Sequence, residues 1–422
     1  MKKILIVESV DAYRSILKFN LLNTMGSEVI EKTTLKSALE YVDLNTDIDL
    51  IICRDKEDVN FKKYLIPLLV THSYHDWENT IKIAGGIFDI DIDFSKNNSI
   101  GEYLEVGINY FEMTASLCVG CDVFVKVKKE NNYQFVKCLH AQESFTKDDV
   151  EKYKIKGLKN FYIPKEQFSQ YVNAITKILI KKLAGEGLTD PQRIYLTAEA
   201  YDLSAERIRI LGIDENTVEV VTHVLTSIKN SLGKNNSLSI FLETIHKNKV
   251  SLAYSRAYLC SLLLSKVVKT LNWQSSQIIE KLVFLAYFHD ISLKGELMKY
   301  DNQIDLQRSF LSEEEKIMII NHASLSATIV DHFPNIPNGI ASVIKEHHGS
   351  KNGIGFPEHL DVNISPLAMM FIVVENFVNN FLNIKGIPER SDLEKIFVTL
   401  GAKYNTHTYE RTLVALEGII LI

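Results

Sequence analysis

The sequence contains no apolar run that approaches the roughly 18–20 residues of a membrane-spanning helix. It also lacks an excess of positive charge, because 47 Lys and Arg stand against 53 Asp and Glu. The net charge of −6 argues against a broad surface for a nucleic-acid polymer, while a local basic pocket for a small phosphate ligand stays compatible with it. Five cysteines, an odd set, suit a reducing compartment. We therefore expect a cytoplasmic protein without a membrane span.

The length and composition indicate a multidomain globular protein. A chain of 422 residues is too long for one ordinary core, and two to four domains are expected. The 46% hydrophobic and 24% charged content is typical of folded protein. The opening Met1–Val7 is a short apolar run leading into Glu8, so we interpret it as a strand and not as a secretion signal.

The first region, residues 1–95, alternates strand and helix patterns. Strands alternating with helices predict a parallel sheet in an N-terminal α/β domain. The predicted strands cover 3–7, 29–30, 49–53 and 66–71, and the predicted helices cover 12–22 and 35–42.

This region resembles the receiver domain of two-component signalling in the runs Lys3–Glu8 and Asp49–Arg54. The acidic pair that binds magnesium in that family is reduced here to Glu8-Ser9, and Arg54 stands at the position of the phosphorylated aspartate. A guanidinium cannot accept a phosphoryl group, and its fixed charge repels Mg²⁺. We interpret the domain as a degenerate receiver-like scaffold or interaction module, with Asp55, one place out of register, as the alternative acceptor.

The second region, residues 96–185, is predicted to be a small α+β domain, of a kind found ahead of output domains in bacterial signalling proteins. Strands over 122–127 and 133–139 flank a polar turn and predict a hairpin. A helix over 147–155 is expected to end at Gly157, before a short strand over 161–164.

A zinc site is one interpretation of the cysteines in this region. Cys118, Cys121, Cys138 and His140 together offer four nitrogen and sulfur ligands. However, Cys138 and His140 fall in a strand pattern, and buried free cysteine is the commoner explanation. Both interpretations stay open at this point.

The rest of the chain is predicted to be helical. A single linker helix is expected within residues 186–235, where the pattern runs from Thr189 to Leu232. A homodimer formed through it is compatible with the sequence, although a sustained heptad is missing. Residues 236–422 predict an all-α domain with apolar residues at three- and four-residue intervals. Its predicted helices cover 251–269, 275–289, 312–332, 339–348 and 366–382, the third with a capping box of Ser312 and Glu315.

Histidines form an ordered set in this helical domain. His289-Asp290 closes an apolar helix on its core face, His322 lies mid-helix, and His347-His348 ends a further helix. A single helix histidine is more often a packed residue than a ligand. In combination, however, imidazoles and a bridging carboxylate suit a pair of divalent ions, which activate water and steady in-line displacement at a phosphodiester. We expect His347 and Asp290 to be semi-exposed ligands and not packing residues.

At these residues the chain resembles the HD-GYP family, bacterial enzymes that hydrolyse cyclic di-GMP. The His-Asp doublet, the helix histidine, the histidine pair, a loop matching the Gly-Tyr-Pro motif and a late acidic residue occur in order. The resemblance implies two divalent metals, iron or manganese, incompletely occupied, and implies Asp290 as bridging and catalytic. The implied metal ligands are His289, Asp290, His322, His347, His348 and Glu375, and the implied substrate-binding residues are Gly353, Gly355, Phe356 and Pro357.

Several positions depart from the family pattern. Tyr254 replaces the family's first-helix histidine ligand, and Leu293 replaces a lysine that contacts the scissile phosphate, unless Lys294 takes its place. Glu375 replaces an aspartate, and Phe356 lacks the tyrosine hydroxyl, although it could stack on a base or simply pack the loop onto the helices. We expect a cyclic di-GMP phosphodiesterase of reduced activity. The alternative is a catalytically inactive signalling module that binds cyclic di-GMP or a signalling protein partner.

Overall fold

The computed structural model describes most of the chain. The described residues are 2–9, 14, 17–18, 20–22, 25–54, 61–64, 66–71, 77–88, 90, 103–115, 118–129, 132–185, 187–232, 241–242, 250–273, 275–293, 297–300, 306, 311–357, 359–384, 386 and 388–421.

The N-terminal part is an α/β unit with a four-stranded parallel sheet, as predicted. The strands are β1 (Lys3–Val7), β2 (Glu28–Lys32), β3 (Leu50–Arg54) and β4 (Leu68–Thr71), in the order β2-β1-β3-β4. Alternate residues of β1 and β3 enter two different hydrophobic clusters, one on each face of the sheet. Burial on both faces explains the unbroken apolar runs of these strands. Helices α1 (Leu35–Leu44) and α2 (Trp77–Ile87) accompany the sheet, and within the helix predicted over 12–22 the described residues 14, 17–18 and 20–22 are helical.

At the carboxyl end of β3, Arg54 is bound to the acidic residue that follows β1. The Arg54 Nε donates to Glu8 Oε2 at 2.8 Å, and Glu8 is buried. The arginine therefore neutralises the carboxylate at the edge where a receiver domain would hold Mg²⁺. Asp55, the alternative acceptor, lies outside the described residues.

The middle part contains a four-stranded antiparallel sheet, and the predicted hairpin is confirmed. Strands β5 (Tyr103–Gly107), β6 (Val123–Lys129), β7 (Asn132–Leu139) and β8 (Asn160–Pro164) follow the order β5-β8-β6-β7. Helices α3 (Ile108–Met113) and α4 (Lys147–Ile155) join them, and α4 begins with a capping box of Thr146 and Asp149.

The cysteines of this sheet do not form a metal site among the described residues. The Cys118 thiol donates to the Ala141 carbonyl at 3.0 Å, and the Cys138 thiol donates to the Val123 carbonyl at 3.4 Å. Burial raises the pKa of Cys121 to about 12 and that of Cys138 to about 11, so neither is a thiolate at neutral pH. Of the two interpretations, free cysteine fits the geometry and zinc does not.

Two helices stand where one linker helix was predicted. After α5 (Lys165–Leu183), the chain forms α6 (Asp190–Leu211) and α7 (Glu215–Ser231), which pack on each other and on α5. Gly212, with φ +78°, ends α6. The buried Arg207 donates two hydrogen bonds of 2.8 Å to the carboxylate of Asp214, which is the N-cap of α7. The periodicity continued through both helices and concealed this turn, so the prediction of one helix was wrong.

The C-terminal part is all-helical, and no described helix is long and apolar enough to cross a membrane. The helices are α8 (Leu252–Thr270), α9 (Ser276–Phe288), α10 (Glu313–Asp331), α11 (Ile340–Lys345), α12 (Pro366–Leu382), α13 (Arg390–Lys403) and α14 (His407–Ile420), with a 3₁₀ turn at Leu297–Lys299. The Ser312–Glu315 capping box is confirmed. One hydrophobic cluster runs from Leu104 to Leu416, across the domain divisions that we propose near residues 185 and 235.

A polar contact joins the N-terminal sheet to α10. The His332 Nε2 lies 3.5 Å from Glu31 Oε1 on β2, and Lys18 bonds the other carboxylate oxygen at 2.6 Å. The bond to Glu31 raises the pKa of His332. Burial raises the pKa of Glu31, but its bonds to His332 and Lys18 outweigh burial and lower it to about 2.

This contact predicts a pH-dependent stability. The raised pKa means that the contribution of His332 is fully present below its ordinary pKa of about 6.5 and is lost as pH rises through the folded value. We expect His332→Gln to destabilise the chain by about 1 kcal/mol at pH 6 and by less at pH 9. Unfolding at both pH values checks this, with the exposed His359→Gln as control. An equal loss at both pH values contradicts it.

The Arg54–Glu8 pair predicts that the N-terminal unit does not accept a phosphoryl group. Incubation of the whole chain with acetyl phosphate and Mg²⁺ should leave its mass unchanged, because the guanidinium opposes binding of the ion. Intact mass spectrometry measures this. An acid-labile phosphoryl adduct on Asp55 would show that the shifted acceptor is functional.

Candidate metal centre

Four segments of the helical part bring the predicted ligands to one place. His289 caps the C-terminus of α9 and Asp290 follows it, His322 lies within α10, and His347 and His348 follow α11. Glu375 projects from the middle of α12, and α8 packs beside it. These ligand side chains are buried apart from the half-buried His348, so the expectation of semi-exposed ligands at His347 and Asp290 was wrong.

Three imidazoles and one carboxylate oxygen form the first group. The His322 Nε2 lies 3.1 Å from the His347 Nε2 and 2.8 Å from the His348 Nε2. It also lies 3.1 Å from Asp290 Oδ1, which is 3.9 Å from the His347 Nε2. Ligand atoms about 2.1 Å from a divalent ion and at right angles to one another lie about 3.0 Å apart. The spacing of this group fits an ion at its centre.

The backbone fixes the Nδ1 side of three of the predicted ligand rings. The Nδ1 atoms of His289, His322 and His347 lie 3.0, 2.5 and 2.6 Å from the carbonyl oxygens three residues earlier. A neutral ring that donates from Nδ1 presents a bare lone pair at Nε2, as a metal-ligating histidine does. Bare nitrogens that face each other at about 3 Å repel unless a proton or a cation lies between them, so the donor set fits a divalent metal.

A second group shares Asp290. The His289 Nε2 lies 3.3 Å from Asp290 Oδ2 and 3.4 Å from Glu375 Oε1, and all three residues are buried. This Nε2 has no hydrogen-bond partner among the described residues. The two oxygens of Asp290 thus face the two groups, which is the arrangement of a bridging carboxylate.

Arg256, which was not predicted as a site residue, reaches the second group from α8. Its Nη1 donates to Asp290 Oδ2 at 2.7 Å, and its Nη2 donates to the Met298 carbonyl at 2.7 Å. Cys260, one helical turn further along, lies on the same face, where Glu375 and Asp290 add to the burial that raises its pKa. The spacing of four between Arg256 and Cys260 was the available signal in the sequence.

Charge pairing sets the pKa values of the buried groups. Burial lowers the pKa of His289, but the Asp290 and Glu375 carboxylates outweigh it and raise the pKa to about 10. Burial raises the pKa of Asp290, but His289 and His322 hold it well below its ordinary value. Burial and the neighbouring His322 lower the pKa of His347 to about 4. Burial, with His347 and His322, also lowers that of His348, so these two rings are neutral ligands near pH 7.

Two positions singled out in the sequence lie elsewhere. Tyr254 packs among the rings of Tyr201, Phe241 and Tyr258, on a different face of α8 from Arg256, so its side chain is not part of the two groups. Leu293 is buried in an apolar cluster with Ile319 and offers no charge. Lys294 lies outside the described residues.

The glycines hold the loop after His348 against α10. A Cβ on Gly353, where φ is +75°, would lie 2.2 Å from Ser324 Oγ, and the Gly355 amide donates to the Ile320 carbonyl at 2.7 Å. These two glycines therefore position the loop and do not line the cavity beside it. Phe356 does line it, and its ring lies 4.9 Å from that of His348.

The cavity beside the histidines has a volume of about 330 Å³. Its wall includes His347, His348 and Glu375 from the ligand set and Phe356 and Pro357 from the loop. The sequence did not predict the remaining polar lining, which comes mainly from α12, α13 and the start of α14. These residues are His359, Asn376, Asn379, Lys403, Thr406 and Tyr409. The cavity offers a small polar ligand access to the first group.

Comparisons with known proteins leave the family open. No protein-family model matches the chain, and no curated protein matches it. Among solved structures, the chain is similar to Bd1817, an HDG"Y"P protein from Bdellovibrio bacteriovorus, at 14% sequence identity and a TM-score of 0.46. The match covers 75% of this chain and 99% of that one. At this TM-score the likeness does not establish a shared fold.

The geometry predicts that metal binding depends on His348 and not on its neighbour His359. His348→Ala should lower the affinity for Mn²⁺ by at least the 10–100-fold that the loss of a supporting contact costs such sites. His359→Ala, also at the cavity, should bind as the unaltered chain does. Equilibrium dialysis followed by metal analysis measures both, and full affinity in His348→Ala would contradict the assignment.

Asp290 is expected to behave differently because it is buried against Arg256. Asp290→Ala leaves the guanidinium without its partner, which should destabilise the chain by about 3–5 kcal/mol in addition to removing a ligand. Denaturant unfolding measures the loss. A free energy of unfolding within about 1 kcal/mol of the unaltered chain would show that the pair contributes little.

Proposed function

We propose that this chain is a metal-dependent phosphodiesterase of the HD-GYP type that acts on cyclic di-GMP with reduced activity. The observation that carries the proposal is the convergence of three imidazole Nε2 atoms and Asp290 Oδ1 beside a cavity. When bound, a divalent ion supplies Lewis acidity and lowers the pKa of a water that attacks phosphorus. The order of motifs in the sequence supports the reaction class and the substrate.

The protein's own contribution is to orient the reacting groups. Backbone carbonyls fix the His322 and His347 rings, so their Nε2 atoms face the centre without reorganisation. Asp290 is held by Arg256 on one oxygen, and its other oxygen faces His322. A phosphodiester in the cavity would lie against His347 and His348.

The cavity supports a nucleotide ligand. A volume of about 330 Å³ lies at the lower end of the roughly 300–1,000 Å³ of small-molecule sites, so one nucleotide of the dinucleotide fits better than both. Phe356 at its wall offers a ring on which a base can stack. Lys403 offers a positive charge for a phosphate, in place of the charge that Leu293 lacks.

Reduced activity follows from the same residues. The side chain at Leu293 lies in an apolar cluster, so no cation approaches the scissile phosphate from that position. The charge of Lys403, at the end of α13, lies at the cavity wall and not at the Leu293 position. Charge that stabilises a transition state acts only where it is well placed, and one such contact contributes about 10²–10³ in rate.

A catalytically inactive module is the second candidate function. It would bind cyclic di-GMP or a signalling protein partner through the same fold. The observation in its favour is that arginines neutralise buried carboxylates at two places where the resemblances imply divalent cations, Glu8 and Asp290.

A turnover assay on the purified chain distinguishes the two. Mn²⁺-loaded protein incubated with cyclic di-GMP should slowly yield the linear dinucleotide or GMP, and His348→Ala should abolish this product. Tight binding in the absence of product favours the inactive module. Neither binding nor product would reject cyclic di-GMP as the ligand.

Lys403 is expected to contribute to the proposed reaction. Lys403→Met should lower kcat/KM on cyclic di-GMP, mainly by raising KM and by less than the roughly 10²–10³ of a well-placed contact, because it removes a positive charge from the cavity wall. Lys395→Met, on an exposed turn of the same helix, is the matched control and should leave the rate unchanged. Equal rates for both variants would exclude Lys403 from substrate binding.

A further inference from the structure

We infer that the centre holds a single divalent ion, in the His322–His347–His348 group, and that the Arg256 guanidinium takes the place of a second ion. This inference rests on the proposed function only for the presence of a metal. It concerns the second group, His289, Asp290 and Glu375, whose geometry alone would suit another ion.

The Arg256 guanidinium occupies the side of Asp290 that a second ion would bind. Arg256 is buried and donates to Asp290 Oδ2 at 2.7 Å, which is the oxygen that faces the second group. Its second bond, to the Met298 carbonyl at 2.7 Å, fixes the planar fork in this orientation. Asp290 Oδ2 is therefore already bound to a permanent positive charge.

The charges of the buried centre are balanced better by one divalent ion than by two. Asp290 and Glu375 bring two negative charges to the buried centre, and Arg256 brings one positive charge. With His289 counted as a neutral ring, one divalent ion leaves the centre with a net charge of about +1, whereas two divalent ions leave it with about +3. Repulsion between charges of the same sign about 4 Å apart, at an effective dielectric constant near 20, weakens the binding of an ion on the order of a thousandfold or more. An ion on Oδ2 would lie at about that distance from the guanidinium, so it should bind far more weakly than the first.

The first group escapes this repulsion. Its ligand atoms are three imidazole nitrogens and Asp290 Oδ1, the oxygen turned away from Arg256. The bond to Arg256 instead holds the Asp290 carboxylate in place for that ion. Arg256 is therefore a positioning residue, and it does not line the cavity.

Metal content and spectroscopy test the inference without an activity assay. The full chain is dialysed against saturating Mn²⁺, and bound metal is measured by mass spectrometry and by electron paramagnetic resonance. We expect about one ion per chain with the hyperfine-split signal of an isolated Mn²⁺. Arg256→Gln, which keeps an N–H donor but removes the charge, should bind about two ions with an exchange-coupled signal. Arg256→Lys keeps the charge and should bind one.

Each outcome has a distinct meaning. Two ions in the unaltered chain, or one ion in a folded Arg256→Gln, overturn the inference and leave the proposed function standing. Absence of bound metal from the unaltered chain rejects the proposed function itself. Should Arg256→Gln fail to fold, Glu375→Gln provides the test, because removal of a second-group ligand should leave the ratio at about one ion per chain. A lower ratio in Glu375→Gln overturns the inference.

Discussion

The interaction on which the helical centre depends is the bond between the buried Asp290 carboxylate and the buried Arg256 guanidinium. A carboxylate removed from water is stable only if charges and hydrogen bonds compensate it. Arg256 compensates one oxygen of Asp290, and this leaves the other oxygen to complete a set of three imidazole nitrogens. The same bond joins α8 to the end of α9, so the ligand position and the packing of two core helices are fixed together.

The same device occurs at a second place in the chain. Arg54 binds the buried Glu8 at the carboxyl end of the N-terminal parallel sheet, as Arg256 binds Asp290 in the helical part. In each case a fixed monovalent cation lies where a resemblance in the sequence implies a divalent one. Unlike a metal ion, a guanidinium is covalently attached to the chain and cannot exchange with solution. It therefore balances the charge of the carboxylate at such a site, and the site no longer depends on binding a metal ion. With an arginine in place of the ion, the chain can lose a metal position and still keep its fold.

Local patterns allowed much of the architecture to be predicted. Apolar strands such as Leu50–Arg54 and the Ser312–Glu315 capping box depend on residues close in sequence, and both were confirmed. The turn at Gly212 was missed because the apolar period of α6 continues into α7.

The site could be predicted only in part, because its remaining members come together through tertiary packing. The histidines were found from their pairing and order. Arg256 was not considered, because sequence spacing alone does not show which face of α8 meets α9 and α12, and the structure turns the Arg256 face towards Asp290. Lys403 reaches the cavity from α13, far along the chain, and no local motif marks it. The period of apolar residues predicts which face of a helix is buried, but it does not predict which other element that face packs against.

The most direct test of the account is anomalous diffraction from a crystal of the chain loaded with Mn²⁺. The account predicts one anomalous peak, about 2.1–2.3 Å from the Nε2 atoms of His322, His347 and His348 and from Asp290 Oδ1, with Arg256 still bound to Asp290 Oδ2. A second peak of comparable height between His289 and Glu375, with Arg256 turned away from Asp290, would contradict it.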